Sequence, residues 1–228
     1  MKKLLPVFFL FVSVFVFAQE NIKQTIKDKS KSDKDRLVME ITSEMWLTKP
    51  DSIKIKGTSR GFGMYWMVTD LDMGNSNFSF SFGLGVFASN IFMDKTALET
   101  DSMTYFPTIA GDFKKHKIVT TYLELPIELR YRSKPDKTNN GFKFAIGFKG
   151  GLLVGSHTKM KAKDALGDLT VYKNNNIKHL NQYRYGPTLK FGYGSFNITA
   201  YYSLAALFNK NKGPEIVPFS VGLLISEF

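Results

Sequence analysis

Residues 77–88, N-F-S-F-S-F-G-L-G-V-F-A, alternate large apolar side chains with very small ones. Successive side chains on a β-strand point to opposite faces, so one face of this segment is aromatic and aliphatic while the other holds Ser79, Ser81, Gly83 and Gly85. A soluble sheet would place charged or long polar groups on the face away from its core. Small residues there indicate a crowded interior, and the apolar face is typical of contact with lipid. The pattern predicts a transmembrane β-barrel.

The N-terminus has the pattern of a cleaved export signal. Lys2 and Lys3 precede an apolar run over residues 4–17, and Ala18 is a small residue at a suitable cleavage position. The run is shorter than the about 20 apolar residues that a spanning helix needs. We therefore expect a signal peptide over residues 1–18, a flexible periplasmic leader over residues 19–35, and a barrel over residues 36–228 in the cell outer membrane.

Eight stretches of the chain have the two-residue period of a strand with one apolar face. They are residues 36–48, 58–69, 77–90, 117–132, 142–156, 179–193, 195–208 and 215–228. An even number suits a closed bacterial barrel, so we predict an all-β fold, an eight-stranded antiparallel up-and-down transmembrane β-barrel. Pro126 lies inside the fourth stretch, where it removes a ladder hydrogen bond, and we expect a local bulge there.

The lengths of the connections agree with this architecture. Outer-membrane barrels have short periplasmic turns and longer extracellular loops. The two longest connections, residues 91–116 and 157–178, fall on one end of the predicted barrel, and the shortest, at Gly194 and Ser195, falls on the other. With both termini in the periplasm the long connections face outward. We interpret them as candidate docking surfaces for other envelope proteins.

Nine charged side chains fall on inward-facing positions of the predicted strands. They are Glu40, Glu44, Glu124, Glu128, Arg130, Lys143, Lys149, Arg184 and Lys190. An eight-stranded barrel is only wide enough for its own side chains, and unpaired charge in its interior is costly. We expect these acids and bases to form a salt-bridged plug that sets the barrel register. A filter for solutes or a latch for a partner's peptide is the functional alternative.

Basic side chains gather at the predicted outer rim. Removing Lys2 and Lys3 lowers the formal net charge only from +11 to +9. Nucleic acid is not an expected partner, because an exported protein rarely meets it. Outer-membrane lipid and lipopolysaccharide phosphates are one counterpart for this charge, and ordinary solvation is the other reading. The candidate lipopolysaccharide contacts are Lys54, Lys56, Arg60, Lys159, Lys161, Lys163, Lys210 and Lys212, with Lys49, Lys173 and Lys178 at the same rim.

The sequence offers little for catalysis or for cofactor binding. The chain has no cysteine, and its three histidines are not at a metal-ligand spacing. Lipid-modifying barrels use a His with a Ser and an acid near the rim. Ser156 and His157 are adjacent on a predicted strand and therefore point to opposite faces, while His116 lies far away in sequence. We predict no catalytic residue, no metal and no cofactor, and hence a protein that is not an enzyme.

Residues 122–131, Y-L-E-L-P-I-E-L-R-Y, resemble the Y-L-E-x-P strand of small PorT-type outer-membrane β-barrel proteins of Gram-negative bacteria. The leader, the G-L-G-V strand before a long loop and the terminal Phe228 agree with that family. Some of its members serve the secretion machinery that exports gliding and virulence proteins. The resemblance implies a structural or accessory component, in a secretion or surface-assembly complex. A narrow porin-like channel for small solutes and a lipid-modifying enzyme are the alternatives.

Overall fold

The computed structural model describes residues 37–72, 77–107, 113–134, 141–163 and 169–225. The predicted signal peptide, the predicted leader and Phe228 lie outside these ranges. No helix long and apolar enough to cross a membrane occurs among the described residues. The strands are β1 (Leu37–Leu47), β2 (Arg60–Asp72), β3 (Phe78–Met93), β4 (Leu98–Glu99), β5 (Thr104–Tyr105), β6 (Phe113–Arg132), β7 (Phe142–Lys163), β8 (Leu169–Asn175), β9 (Tyr183–Tyr193), β10 (Phe196–Tyr202) and β11 (Val217–Ile225).

Eight of these strands close into a barrel. Their order around the sheet is β6-β3-β2-β1-β11-β10-β9-β7, and β6 also pairs with β7. Each strand is antiparallel to both of its neighbours, including the first and the last, where Glu44 stands opposite Ser220. Closure leaves no free edge in the wall and pairs its backbone groups with one another. The predicted eight-stranded up-and-down barrel is confirmed.

The wall is apolar on its outer surface and polar inside. Burial alternates at every residue of β1, where Ile41 is exposed and Glu40 and Thr42 are buried. The same alternation runs along β9, and Phe196 at the start of β10 is 75% exposed. An exposed apolar band around a charged interior reverses the arrangement of a water-soluble fold. Lipid acyl chains are the solvent that such a band requires.

Two predicted loops are partly β-structure. β6 begins at Phe113 and β7 continues to Lys163, where it pairs with β8, so parts of residues 91–116 and 157–178 belong to strands. With 20 and 22 residues, β6 and β7 exceed the about 9–11 residues that cross a bilayer. Their outer halves therefore project from the membrane with β8. We call residues 113–121, 155–163 and 169–175 the outer wing.

β10 is shorter than the predicted stretch 195–208. It ends at Tyr202, and the hydroxyl group of Ser203 donates a 2.8 Å hydrogen bond to the carbonyl of Ala205. Such a local bond offers the backbone an alternative to the sheet ladder, which explains why the strand stops there. The chain then crosses the mouth of the barrel, where the backbone N–H of Leu207 donates to the carbonyl of Ile216.

Pro126 is accommodated without the bulge that we expected. β6 stays in register with β7 through the pair Pro126 and Lys149. Towards β3, pairing stops after Ile127 and resumes at Glu124 in the same register. Two unpaired positions on that side remove the need for the donor that proline lacks. The expectation of a bulge at Pro126 was wrong, because an interrupted ladder serves instead.

The outer mouth is closed by apolar side chains beneath the loops. This apolar cap consists of Trp46, Ile53, Ile91, Met93, Ile118, Ile177, Leu180, Leu207, Phe208 and Ile216, all buried. Backbone contacts tie the loops together: Leu180 forms a bridge with Phe208, and the N–H of Thr104 donates to the carbonyl of Lys212 at 2.8 Å. The outer loops therefore form one packed platform over the cap.

Candidate functional site

The interior of the barrel holds layers of charged side chains below the apolar cap. All nine predicted lumen charges are buried there. Glycines on the inward face make room for their long side chains. A Cβ atom added at Gly151 would lie 3.1 Å from Cγ of Glu124 and 3.2 Å from Cγ of Arg184. Gly63 and Gly147 likewise lie against Glu40 and Glu128, whereas the glycines of β3, Gly83 and Gly85, lie against Met67 and Tyr65.

Glu124 is the centre of the middle layer. Its Oε2 lies 3.3 Å from Nζ of Lys149 and accepts a 2.6 Å hydrogen bond from the hydroxyl of Tyr65. Its Oε1 pairs with the guanidinium of Arg184. Lys149 also lies 3.2 Å from Oε1 of Glu40. Two acids and two bases compensate one another here, as buried charge requires.

Aromatic rings surround the two cations of this layer. They are Tyr65, Phe87, Tyr122 and Tyr201. Nζ of Lys149 lies 4.9–5.1 Å from three of the ring centroids, and Cζ of Arg184 lies 4.5–5.0 Å from three. Cation–π contacts stabilise a desolvated charge. Our sequence reasoning selected charged residues alone and missed these rings as part of the site, although strand alternation places them on the inward face.

A second charged layer lies nearer the periplasmic end. Glu128 on β6 pairs with Lys190 on β9, beyond the intervening strand β7, and with Nε of Arg130 at 3.0 Å on its own strand. Lys143 is buried at the same end, directly opposite Arg132 in the β6–β7 ladder. Arg132 was not among the predicted lumen charges, although it continues the inward phase of Glu128 and Arg130.

Glu44 lies in an upper layer, close to the apolar cap. It accepts a 3.0 Å hydrogen bond from Oγ of Ser89 and one from Oγ1 of Thr42. Its neighbours in a small cavity include Trp46 of the cap and Arg184 of the middle layer. Hydroxyl groups therefore hold this acid where the polar interior meets the cap.

Two cavities among the described lumen residues are small. The cavity beside Glu44 offers about 20 Å³ to the centre of a water-sized sphere, and one between Glu40 and Lys190 offers about 10 Å³. A single water needs about 10–15 Å³ by this measure. Neither cavity is large enough for a solute bigger than water.

A larger cavity lies outside the lumen, among the outer loops. This outer groove measures about 500 Å³, and its apolar lining comes from three loops: Pro50, Ile53, Met103, Tyr105, Phe106 and Pro214. Met103 and Tyr105 are exposed at its rim. Its size lies in the range of sites for small ligands.

The residues considered for catalysis are not assembled into a site. Oγ of Ser156 accepts the backbone N–H of Ile177 at 2.9 Å, while the adjacent His157 lies on the opposite face of β7. Nδ1 of His116 is 2.8 Å from Oγ1 of Thr96. Within the described ranges, no group of three His, Asp or Glu side chains is arranged to hold a metal ion.

The predicted lipopolysaccharide contacts lie at the outer end in three separate places. Lys54, Lys56 and Arg60 are exposed in the first outer loop and at the start of β2, and Lys210 and Lys212 are exposed in the last outer loop. The remaining three belong to β7 in the outer wing: Lys159 and Lys161, which are half-buried, and Lys163, whose side chain lies outside the described residues.

The closed barrel, its apolar outer band and its charged interior define a class of protein, the outer-membrane β-barrels. The chain belongs to the outer membrane protein beta-barrel domain family, whose model matches residues 47–209. That range begins at the last residue of β1 and includes β2 to β10. Neither the curated proteins nor the solved structures gave a match. The protein is located in the outer membrane, as the sequence predicted.

Proposed function

We propose that the protein is a non-conducting barrel without enzymatic activity that acts as a structural or accessory component of the envelope, in a secretion or surface-assembly complex. One observation carries this proposal: the lumen is occupied from the apolar cap to the lower charged layer. In that arrangement the outer platform and the outer wing are the surfaces that remain for interaction. They contain the parts of residues 91–116 and 157–178 that we proposed as docking surfaces.

The position of the PorT-like segment in the barrel supports this role. Tyr122, Glu124, Pro126 and Glu128 of the resembling segment all face inward. The motif therefore supplies Glu124 and Glu128, the central acids of the middle and lower charged layers that fill the lumen. A role in secretion fits a barrel whose own interior is filled, since such a barrel would act through its surfaces.

A narrow solute channel is the second candidate. Conduction would need a continuous water path through the lumen. The Glu124 and Glu128 layers and the apolar cap would all have to move aside for it, against ion pairs and cation–π contacts. A lipid-modifying enzyme has weaker support, because Ser156 and His157 face opposite ways and His116 contacts Thr96.

We expect the purified full-length protein to give no discrete conductance steps in planar lipid bilayers. The physical reason is the filled lumen: among its described residues, the cavities beside Glu44 and between Glu40 and Lys190 measure about 20 and 10 Å³ and hold no more than single waters. A general porin recorded in the same bilayers provides the positive control, and heat-modifiable migration on gels shows that the sample is folded. Reproducible steps from folded protein would contradict the proposal and favour the channel.

A further inference from the structure

The outer wing carries lysines that are in register on three paired strands. Lys117 on β6 stands opposite Lys159 on β7, and Lys159 stands opposite Lys173 on β8. One step further from the barrel, Lys161 stands opposite Lys115 on β6. Adjacent strands are about 4.8 Å apart, so the row from Lys117 to Lys173 spans about 10 Å. We call Lys117, Lys159 and Lys173 the lysine row.

The lysine row lies on the outward surface of the wing. Lys117 is in phase with Leu123, which faces lipid lower on the same strand, and β6 keeps one register with β3 between them. The intervening Ile118 faces inward and belongs to the apolar cap. Because directly opposed residues of paired strands share a face, Lys159 and Lys173 point outward with Lys117.

Like charges opposed on neighbouring strands destabilise a sheet. The next position of β7 on this face is His157. Burial lowers the pKa of its imidazole, and the nearby positive charges of Lys173, Lys117 and Lys159 lower it further. Within the described part of the chain, Lys159 and Lys173 form no ion pair with a carboxylate. The row is a concentrated positive surface that an anion with several charges would stabilise.

The height of the row above the membrane identifies the kind of anion. The apolar band on β7 ends at Val154, which is 57% exposed, and Lys159 follows five residues later. At about 3.3 Å per residue and a strand tilt of about 40°, this places its backbone about 13 Å beyond the band. A lysine stem can extend back towards the interface, and that of Lys117 does so: its Nζ donates a 2.9 Å hydrogen bond to Oδ1 of Asn90, which pairs with Val119 nearer the barrel. The ammonium groups therefore reach the level of lipid headgroups.

We propose that Lys117, Lys159 and Lys173 bind the phosphate groups of a lipopolysaccharide headgroup in the outer leaflet. The proposal rests on the outer-membrane barrel being inserted with its wing outward, but it does not depend on whether the lumen conducts. A headgroup with several phosphates matches several cations held in register on paired strands, and each charge-assisted contact relieves repulsion within the row. The exposed loop lysines, such as Lys54 and Lys210, lack this arrangement on paired strands.

The test compares two triple variants of the full-length protein in detergent micelles. K117Q/K159Q/K173Q removes the row, and K54Q/K210Q/K212Q removes the same charge from loops at the same end. We expect the first to weaken lipopolysaccharide binding, measured by native mass spectrometry, by about tenfold or more, and the second by about twofold or less. Equal losses, or no loss from the first variant, would overturn the proposal.

Two further arms identify the source and the chemistry of the ligand. Dephosphorylated lipopolysaccharide should bind to the wild type and to the row variant equally, because the phosphates are the groups recognised. Inorganic phosphate at millimolar concentration should not displace the lipid, since a single ion cannot span the row. Displacement by phosphate, or a binding preference for an acidic peptide over the lipid, would contradict a lipid headgroup site.

A second readout is specific to the face of the wing. Bound phosphate adds negative charge beside His157 and should raise the pKa of its imidazole, measured by NMR in micelles as lipopolysaccharide is added. Lys117 on β6, Lys159 on β7 and Lys173 on β8 are the charged groups around it. His116 faces the other side of the sheet and should not shift. If the pKa of His157 stays the same when lipopolysaccharide is present at a saturating concentration, the proposed site is contradicted.

Discussion

Glu124→Gln is expected to lower the free energy of unfolding by about 3–5 kcal/mol, because removing one partner of a buried ion pair leaves the other charge uncompensated. Glu124 has no solvent exposure and contacts both Lys149 and Arg184. Lys149 retains Glu40, so most of the cost should come from Arg184. Glutamine has nearly the same shape, so the loss cannot be attributed to a cavity.

The measurement is urea unfolding in detergent micelles, followed by tryptophan fluorescence. Asp101→Asn is the matched control, since Asp101 pairs with Lys178 in full contact with solvent and its loss should leave the curve unchanged. Adding Arg184→Leu to Glu124→Gln should recover part of the stability, because the uncompensated cation is then gone. Equal stability of Glu124→Gln and the wild type would show that the charged layer does not hold the barrel.

Gly186→Ala is expected to destabilise the β9–β10 seam by about 3 kcal/mol, at the upper end of the cost of overpacking. A Cβ atom at this position would overlap the backbone carbonyl oxygen of Tyr202, which cannot rotate away. The two strands would have to separate. Lower urea midpoints and loss of heat-modifiable migration on gels are the expected observations.

Gly150→Ala is the matched control for this change. Gly150 lies on the facing strand β7, and nothing lies within 4 Å of an added Cβ atom there. The same methyl group should therefore have little effect on stability. If both variants unfold at the same urea concentration, close packing at the β9–β10 seam is not what requires glycine at Gly186.

The wall of the barrel could be predicted from the sequence because each strand contacts two different environments. A lipid-facing and an inward-facing side produce the two-residue period directly, and the phase of that period selected the nine lumen charges. The outer wing projects beyond the acyl chains of the membrane. Its outward positions carry Lys and His, so the apolar signal disappears and residues 157–178 resembled a loop.

The partners within the site were beyond sequence reasoning for a different reason. Lys149 and Arg184 are far from Glu124 in the chain, and their contacts depend on the stagger of the strands around the closed barrel. A register shift between Thr121 and Tyr122 contributes to that stagger, and the residue types at these positions do not predict it. The apolar cap likewise combines Trp46 of β1 with Ile53 and Phe208 from two separate loops.

The central claim is that the chain turns its apolar side chains outward to lipid and its polar and aromatic plug inward. Its two tryptophans test this directly, because Trp66 is 55% exposed on the outer wall and Trp46 is 5% exposed in the cap. In vesicles with brominated acyl chains, the tryptophan fluorescence of the Trp46→Phe variant, which keeps Trp66, should be strongly quenched. The Trp66→Phe variant, which keeps Trp46, should be quenched little. Equal quenching of the two, or the reverse order, would contradict the inverted barrel.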